Sequence, residues 1–478
     1  MQEIFQWING KDVLGQGDKI SVLNPATAKE IGRLKAATPD QVAAAVEAAR
    51  QSFDSGIWAN TPFRDRQAIM RKAANAIRSS LDVLVDQQVA ENGMIRAAVV
   101  SQVIGAAAWF DFYADQLTSD SGEIFRQLGS ATTLVEQVPI GVCALFSPWN
   151  VPLTLLAIKL APALAAGNSV VVKPSEDTPI VTRMLIDVVQ SAGLPDGVLN
   201  YVNGYGHVTG AALAADQGVD MISFTGGHIG GRAVAKAAAH RHVPCVMELG
   251  GKSANIIFAD ADMDRAVPGA LAAVFGANGE ACLAGSRILL EESISEKFLA
   301  LFKAKAVAMR IGNPSDPTSE IGPMVSAHHR DTVLGFFKSA GRDGDTILFG
   351  GAMRSNDPGY YVKPSAIRVK SINSRIWREE VFGPIAAIHT FTSEDEAIAL
   401  ANDSEFGLAG YVWTGDLNRA MRVTRKVRTG TMVVNSSFMR EQNAPFGGFK
   451  GSGLGREGGV HSWLNFTEAK TTVIYHGE

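Results

Sequence analysis

A chain of 478 residues exceeds one hydrophobic core, so two or three domains are expected. With 46% hydrophobic and 19% charged residues it has the make-up of an ordinary globular protein. A net charge of −4 leaves no basic stripe for nucleic acid and no general pull toward an anionic membrane. The cysteines, Cys143, Cys245 and Cys282, are too few and too scattered for a disulfide framework or a metal-ligand spacing.

The start, Met1-Gln2-Glu3-Ile4-Phe5, has neither the basic residues nor the apolar run of a signal peptide. The longest apolar stretch, 151–166, is broken by Lys159 and Pro162 and falls short of the roughly 20 residues a bilayer needs. A reducing cytoplasm is the expected location. After a short extended entry, 39–50 and 65–81 show alanine-rich helical periodicity and are expected to be scaffold helices.

From Gly141 the texture changes. Apolar runs at 142–146, 169–173, 198–202 and 221–224 alternate with helical patterns at 153–166, 179–191, 208–215 and 231–239. This alternation predicts a parallel sheet covered on both faces. Ligands of such sheets lie beyond the carboxyl ends of the strands, where Asn150, Lys173, Glu176 and Gly226 fall. From 254 the alternation resumes and runs to about 440, which predicts a second α/β domain carrying Cys282. Segments 131–136 and 471–475 alternate in Thr and Val, as exposed strands able to pair with each other or with another subunit.

Cys282 stands among small residues, Gly276-Ala277-Asn278-Gly279-Glu280-Ala281 before it and Leu283-Ala284-Gly285 after it. A thiolate there is a strong nucleophile that a substrate can approach. Upstream, Glu248 precedes Gly250-Gly251, a turn that permits close backbone approach to a carboxylate. The opposing readings are a core thiol and a solvated surface charge.

The chain resembles the aldehyde dehydrogenase superfamily along its length. The resemblance rests on Ser147-Pro148-Trp149-Asn150, Lys173-Pro174-Ser175-Glu176, Phe224-Thr225-Gly226-Gly227 through Gly231, Glu248-Leu249-Gly250-Gly251-Lys252, the Cys282 segment, Glu380-Val381-Phe382-Gly383-Pro384, and 445–457, in that order. It implies an α/β fold in three parts. A Rossmann-type cofactor domain would span 1–118 and 140–250, and an α/β catalytic domain 251–450. A small β oligomerisation element and tail would take 119–139 and 451–478. A homodimer or homotetramer is expected.

The resemblance also implies roles. Cys282 adds to an aldehyde, Glu248 is the base for hydrolytic water, and Asn150 with the Cys282 N–H holds the oxyanion, although Asn150 would also cap the following helix well. Lys159 and Glu457 are expected in a proton relay. NAD is the expected cofactor and no metal is expected. NAD would contact Phe146, Ser147, Pro148, Trp149, Lys173, Ser175, Glu176, Gly206, Phe224, Gly226, Gly227, Gly231, Leu249, Gly250, Glu380 and Phe382. Gly226 and Gly231 would let the pyrophosphate approach a helix N-terminus. Gly227 departs from the family, which commonly has serine there. Glu176 accepts ribose hydroxyls and repels a 2′-phosphate, which favours NAD over NADP.

A substrate tunnel is expected near Gly105, Phe112, Val151, Leu155, Ile158, Gly276, Ala281, Leu283, Arg440 and Phe446. Many family members have a tryptophan where Ile158 stands and bulkier side chains where Gly105 and Gly276 stand, so the resemblance implies a wide, mostly apolar tunnel for a medium-sized aliphatic, terpenoid or aromatic aldehyde. Arg440 pointing inward would instead bind the carboxylate of a semialdehyde; the outward, solvated orientation is preferred. Two other chemistries compete. A CoA-acylating relative is opposed by Glu248, and a thiol hydrolase needs a histidine partner, whereas of the nine histidines only His228 falls in these motifs, on the cofactor side.

Overall fold

The computed structural model describes residues 2–119, 121–353, 358–437 and 439–477. The helical scaffold forms as its pattern predicts. Thr38 caps the helix Pro39–Asp54 in a reciprocal box with Gln41, and Pro39 supplies the fixed φ of the first turn. The helices Phe63–Ser79, Leu81–Asn92 and Arg96–Ser119 follow. Arg96–Ser119 is long and apolar enough to cross a bilayer, a feature the sequence reading passed over. It packs against Phe63–Ser79 and Pro152–Ala166, with Val103, Phe110 and Tyr113 fully buried in the core.

An eight-stranded sheet contains five adjacent parallel strands. In spatial order they are Cys245–Glu248, Met221–Thr225, Val142–Ser147, Ser169–Pro174 and Leu199–Tyr201. Chain order reverses at Val142–Ser147, whose sequence successor lies on one side and Met221–Thr225 on the other. That reversal opens a crevice at the carboxyl ends. Every residue of Val142–Ser147 is buried, as a strand covered on both faces must be. The expected helix at 208–215 begins as a π-turn, Gly206–Gly210, before the α-helical Ala211–Ala215.

A seven-stranded sheet follows, with its parallel strands from Ala254–Ile257 to Thr431–Val434. The segments expected as exposed strands pair with each other. Ala131–Pro139 runs antiparallel to Thr467–Tyr475, from Thr467 opposite Pro139 to Tyr475 opposite Ala131, and Glu123–Phe125 adds a third strand. Val473, Ile474 and Tyr475 on the free edge are exposed.

Past residue 450 the chain returns to the eight-stranded sheet before it reaches the three-stranded one. Gly453–Leu454 pairs antiparallel with Cys245–Glu248 and closes one edge of the eight-stranded sheet, and Gly459–Asn465 packs on Pro152–Ala166. Only from Thr467 does the chain join the three-stranded sheet.

Candidate active site

Four neighbouring strands deliver residues to the crevice. Asn150 lies just past Val142–Ser147, Glu176 past Ser169–Pro174, Gly226 past Met221–Thr225, and Glu248 ends Cys245–Glu248. The Cys282 segment comes from the other large sheet, just ahead of the strand Arg287–Glu291. Its approach is pinned by Asn278, whose backbone is left-handed at φ 58°. The Asn278 amide donates to the carbonyls of Gly93 (3.1 Å) and Pro323 (3.2 Å), and its oxygen accepts from the Gly322 N–H at 2.8 Å. A fully satisfied buried amide of this kind holds a loop in one place.

Cys282, Glu248, Asn150, Trp149, Leu155, Leu249, Gly250, Glu380 and Phe382 line one cavity of about 240 Å³. Burial and the carboxylates of Glu380 and Glu248 push the Cys282 thiol up to about 12, while the N–H groups of Cys282 and Leu283 at the sulfur oppose this. At neutral pH the group is therefore a thiol and needs a base. Both Glu248 oxygens are buried without a hydrogen-bond partner among the described residues. Burial first, then Glu457, holds its carboxyl well above the usual carboxylate range. Asn150 does not cap the helix Pro152–Ala166, whose N-cap is Val151. Its Nδ2 donates to the Glu280 carbonyl at 2.8 Å, which leaves the second amide proton free to face a ligand.

The glycines after Glu248 are required by close packing. A Cβ on Gly250 would sit 2.1 Å from Glu380 Oε2, and one on Gly251 would sit 2.4 Å from the Cys282 carbonyl oxygen. The Gly251 N–H donates to Glu380 Oε1 at 2.9 Å. Burial raises Glu380 to about 7 against that bond and the nearby Lys252. Lys159 and Glu457 form a buried ion pair, and Ser223 donates to Glu457 at 3.3 Å.

The cavity continues past Pro148, Trp149, Thr225, Gly226 and Gly227 into a larger cleft of about 630 Å³. Phe146, Ser147, Lys173, Ser175, Glu176, Gly206 and Phe224 also line it. The residues fit a dinucleotide. Buried Ser147 Oγ and Thr225 Oγ1 lack partners among the described residues, and open space surrounds Gly206 and Gly227. The N-terminus of the helix His228–Arg241 opens at Gly227 and supplies unpaired N–H groups to a phosphate. Lys173 Nζ bonds the Pro174 carbonyl at 2.8 Å and reaches Glu176 Oε2 at 3.4 Å. Gly231 is the exception. It lies under Leu249, where a Cβ would come within 2.5 Å of Cδ2, so it serves helix packing and does not line the cleft.

The substrate side differs from expectation at two residues. Ile158 is 0% exposed inside the helical core and forms no wall, because its face of Pro152–Ala166 packs inward. Arg440 turns inward. Its guanidinium lies over Trp109 at 5.2 Å and Phe446 at 4.5 Å, and buried Nε and Nη2 have no partner among the described residues. Two aromatic faces stabilise the cation where solvent would have been expected to. Of the other residues named for the tunnel, Leu155 lines the Cys282 cavity. Gly105, Phe112, Val151, Ala281 and Leu283 are half-buried, while Gly276 is exposed with open space around it.

One cavity residue carried no sequence signal. His329, on the helix Ala327–Asp343, lines the cavity with Cys282. Its Nε2 lies 2.7 Å from the Phe382 carbonyl, which can only accept, so Nε2 carries the proton. Among the described residues the ring makes no hydrogen bond to Cys282, so the structure does not form the thiol–histidine pair that the hydrolase reading needs. Phe382 itself has φ 54°, a conformation costing a non-glycine residue about 1–3 kcal/mol.

Comparison with known proteins agrees with this arrangement. The model of the aldehyde dehydrogenase family matches residues 13–472. A 2-hydroxymuconic semialdehyde dehydrogenase of Pseudomonas sp. strain CF600 is 38% identical, over 99% of this chain and 100% of its own. A betaine aldehyde dehydrogenase of Bacillus subtilis is 38% identical over 97% and 96%. The crystal structure of a Staphylococcus aureus betaine aldehyde dehydrogenase in complex with NAD+ superposes with a TM-score of 0.96 at 34% identity, covering 98% of this chain and 94% of that one. A thiol, a carboxylate and an amide meeting beside a dinucleotide-sized cleft, in a fold and sequence matched end to end, place this chain in the aldehyde dehydrogenase family.

Proposed function

We propose that this protein oxidises an aldehyde to the carboxylic acid with NAD+ through a covalent Cys282 intermediate, and that its substrate carries a carboxylate held by Arg440. The convergence of Cys282, Glu248 and Asn150 on one cavity carries the reaction. The inward Arg440 guanidinium, whose buried Nε and Nη2 have no hydrogen-bond partner among the described residues, carries the substrate class.

Glu248 takes the proton of the Cys282 thiol as sulfur bonds the aldehyde carbon, and a thiohemiacetal forms. The free Asn150 amide proton and the Cys282 N–H hold its oxyanion, a role worth about 3–4 kcal/mol per donor in such sites. NAD+, when bound in the adjoining cleft, supplies the acceptor for the hydride and its two electrons. The oxyanion collapses to a thioester at Cys282. Glu248 passes that proton out of the site and then deprotonates water, which attacks the thioester; the acid leaves and the departing thiolate takes the proton from Glu248. Lys159, Glu457 and Ser223 supply a buried path for the proton to leave. The eight-stranded sheet thus serves as the cofactor domain and the seven-stranded sheet as the catalytic one. Lys173 and Glu176 hold the adenosine ribose, and Glu176 disfavours a 2′-phosphate.

Charge supports the anionic substrate. Lys159 is already paired with Glu457, whereas the Arg440 guanidinium between Trp109 and Phe446 has buried Nε and Nη2 without hydrogen-bond partners among the described residues. Desolvated guanidinium groups bind carboxylates through charge-assisted bonds. An uncharged apolar aldehyde is the second reading, favoured by the aromatic faces of Trp109 and Phe446 and by Leu155 in the wall. The exposed edge of the three-stranded sheet supports assembly as a homodimer or homotetramer.

The experiment is NADH formation without CoA across short, long, aromatic and carboxylate-bearing aldehydes. The highest kcat/KM on carboxylate-bearing substrates is expected. A preference for uncharged aldehydes would transfer the assignment to the second reading, and a requirement for CoA would overturn the hydrolytic mechanism.

A further inference from the structure

We infer that His329 is a positioning residue that holds the wall behind the nicotinamide ring in place. The inference rests on the proposal that NAD+ occupies the adjoining cleft and reaches this cavity. His329 touches neither sulfur nor carboxylate of the reacting set. It is nevertheless tied to both sides of the cavity mouth.

Its own placement is over-determined. Ser326 caps the helix, with Oγ accepting from the His329 N–H at 3.2 Å, so the ring leaves a fixed first turn. From there Nε2–H donates to the Phe382 carbonyl at 2.7 Å. Burial lowers the basicity of the imidazole, which favours the neutral ring, and the carbonyl selects its Nε2–H tautomer. Glu280 Oε1 stands 3.7 Å from the same nitrogen, beyond a hydrogen bond, with its oxygen already accepting from the Val325 N–H at 3.0 Å.

The consequence falls on Phe382 and Trp149. Phe382 occupies a left-handed conformation that its own side chain disfavours, so something outside it must hold it there. The His329 bond does this at the carbonyl. The ring is held as well, edge-on to Trp149 at 5.2 Å and 86°. The imidazole packs edge-on to Trp149 at 5.2 Å and contacts Phe382 at 6.0 Å. Three rings thus brace each other between the oxyanion donor, one residue after Trp149, and Glu380, two residues before Phe382. Removing the histidine would let Phe382 relax toward an ordinary conformation and open the wall on which the nicotinamide must lie for hydride transfer. Lys173, Glu176 and the N-terminus of the helix His228–Arg241, proposed to hold the adenosine and pyrophosphate, make no contact with His329 and are expected to keep their places.

Two ligands separate the effects: NAD+, and ADP-ribose, which lacks only the nicotinamide ring. Their dissociation constants are measured by calorimetry on the full-length wild type, H329L and H329Q, with thermal midpoints alongside. H329L is expected to weaken NAD+ by roughly tenfold or more while ADP-ribose stays within about twofold. H329Q, which keeps an N–H for the Phe382 carbonyl, is expected to recover most of that loss. If H329L fails to fold, H329N, whose amide is too short to reach the carbonyl, replaces it with the same expectation. Equal weakening of both ligands, no weakening of either, or no recovery by glutamine overturns the assignment. A wild-type protein that binds neither ligand overturns the NAD+ reading beneath it, an outcome distinct from any shown by the variants.

Discussion

The Asn150 side-chain amide donates to the Glu280 carbonyl across 2.8 Å, joining the central strand of one sheet to the loop that delivers Cys282 from the other. One amide proton thereby sets the distance between the two halves of the site, and the second is left for the substrate oxygen. Asn150→Ala removes both. Its kcat is expected to fall roughly 100–1000-fold, the usual cost of an oxyanion donor, while NAD+ affinity holds. Steady-state kinetics beside a cofactor titration checks this. A comparable loss of NAD+ binding would show a role in building the cleft instead.

Glu248 separates acylation from hydrolysis. Glu248→Gln removes the base from both steps, but thioester hydrolysis is expected to slow more than acylation, so a slowed burst of NADH should still precede slower turnover, read by stopped flow. The carboxyl is raised by burial, so it is neutral at low pH and the base form grows as pH rises. Thioester hydrolysis in the wild type should therefore accelerate with pH, and the glutamine variant should lose that slope. Equal slowing of burst and turnover would count against the role.

Arg440 decides the substrate. Arg440→Met keeps much of the packing between Trp109 and Phe446 and removes the charge. For a carboxylate-bearing aldehyde, kcat/KM is expected to drop by roughly 30–1000-fold, the range for removing one side of a buried charge pair, with an uncharged aldehyde little affected. Parallel losses on both substrates would mean that the guanidinium serves the fold.

Glu176 stands at the far end of the cleft, beside Lys173. Glu176→Ala is expected to narrow the ratio of kcat/KM with NAD to that with NADP, since the carboxylate that opposes a 2′-phosphate is gone. An unchanged ratio would place cofactor choice elsewhere in the cleft.

Gly251→Ala tests the packing under the nucleophile. The added Cβ would meet the Cys282 carbonyl oxygen at 2.4 Å, so the Cys282 loop must shift. A loss of about 1–3 kcal/mol in stability is expected, as for other overpacked sites. Denaturant unfolding reads the stability, and the rate of thiol alkylation reads the displaced sulfur. Full activity with unchanged stability would show that the turn yields freely.

Much of this arrangement was readable before any fold was known. The alternation of strand and helix from Gly141 predicted a parallel sheet, because strands buried on both faces must be apolar throughout. It also put Asn150, Glu176 and Gly226 at carboxyl ends, where the structure has them. The pairing of 131–139 with 467–475 was one of two open possibilities, since a strand pattern specifies a face and not a partner. Composition was less use for Arg96–Ser119, where a buried core helix and a bilayer-length helix look alike.

Local chemistry is what the sequence by itself determined: which segments alternate, where turns need glycine, and which motifs hold a thiol, a carboxylate and an amide. Those properties depend on neighbours within a few positions. Tertiary structure alone decided that Arg440 turns in between two rings, that Ile158 is swallowed by the core, that 453–454 closes a sheet formed far earlier in the chain, and that His329 grips Phe382. Each is a contact between residues distant in sequence, set by how the large sheets face one another, and no periodicity or spacing along one segment records it.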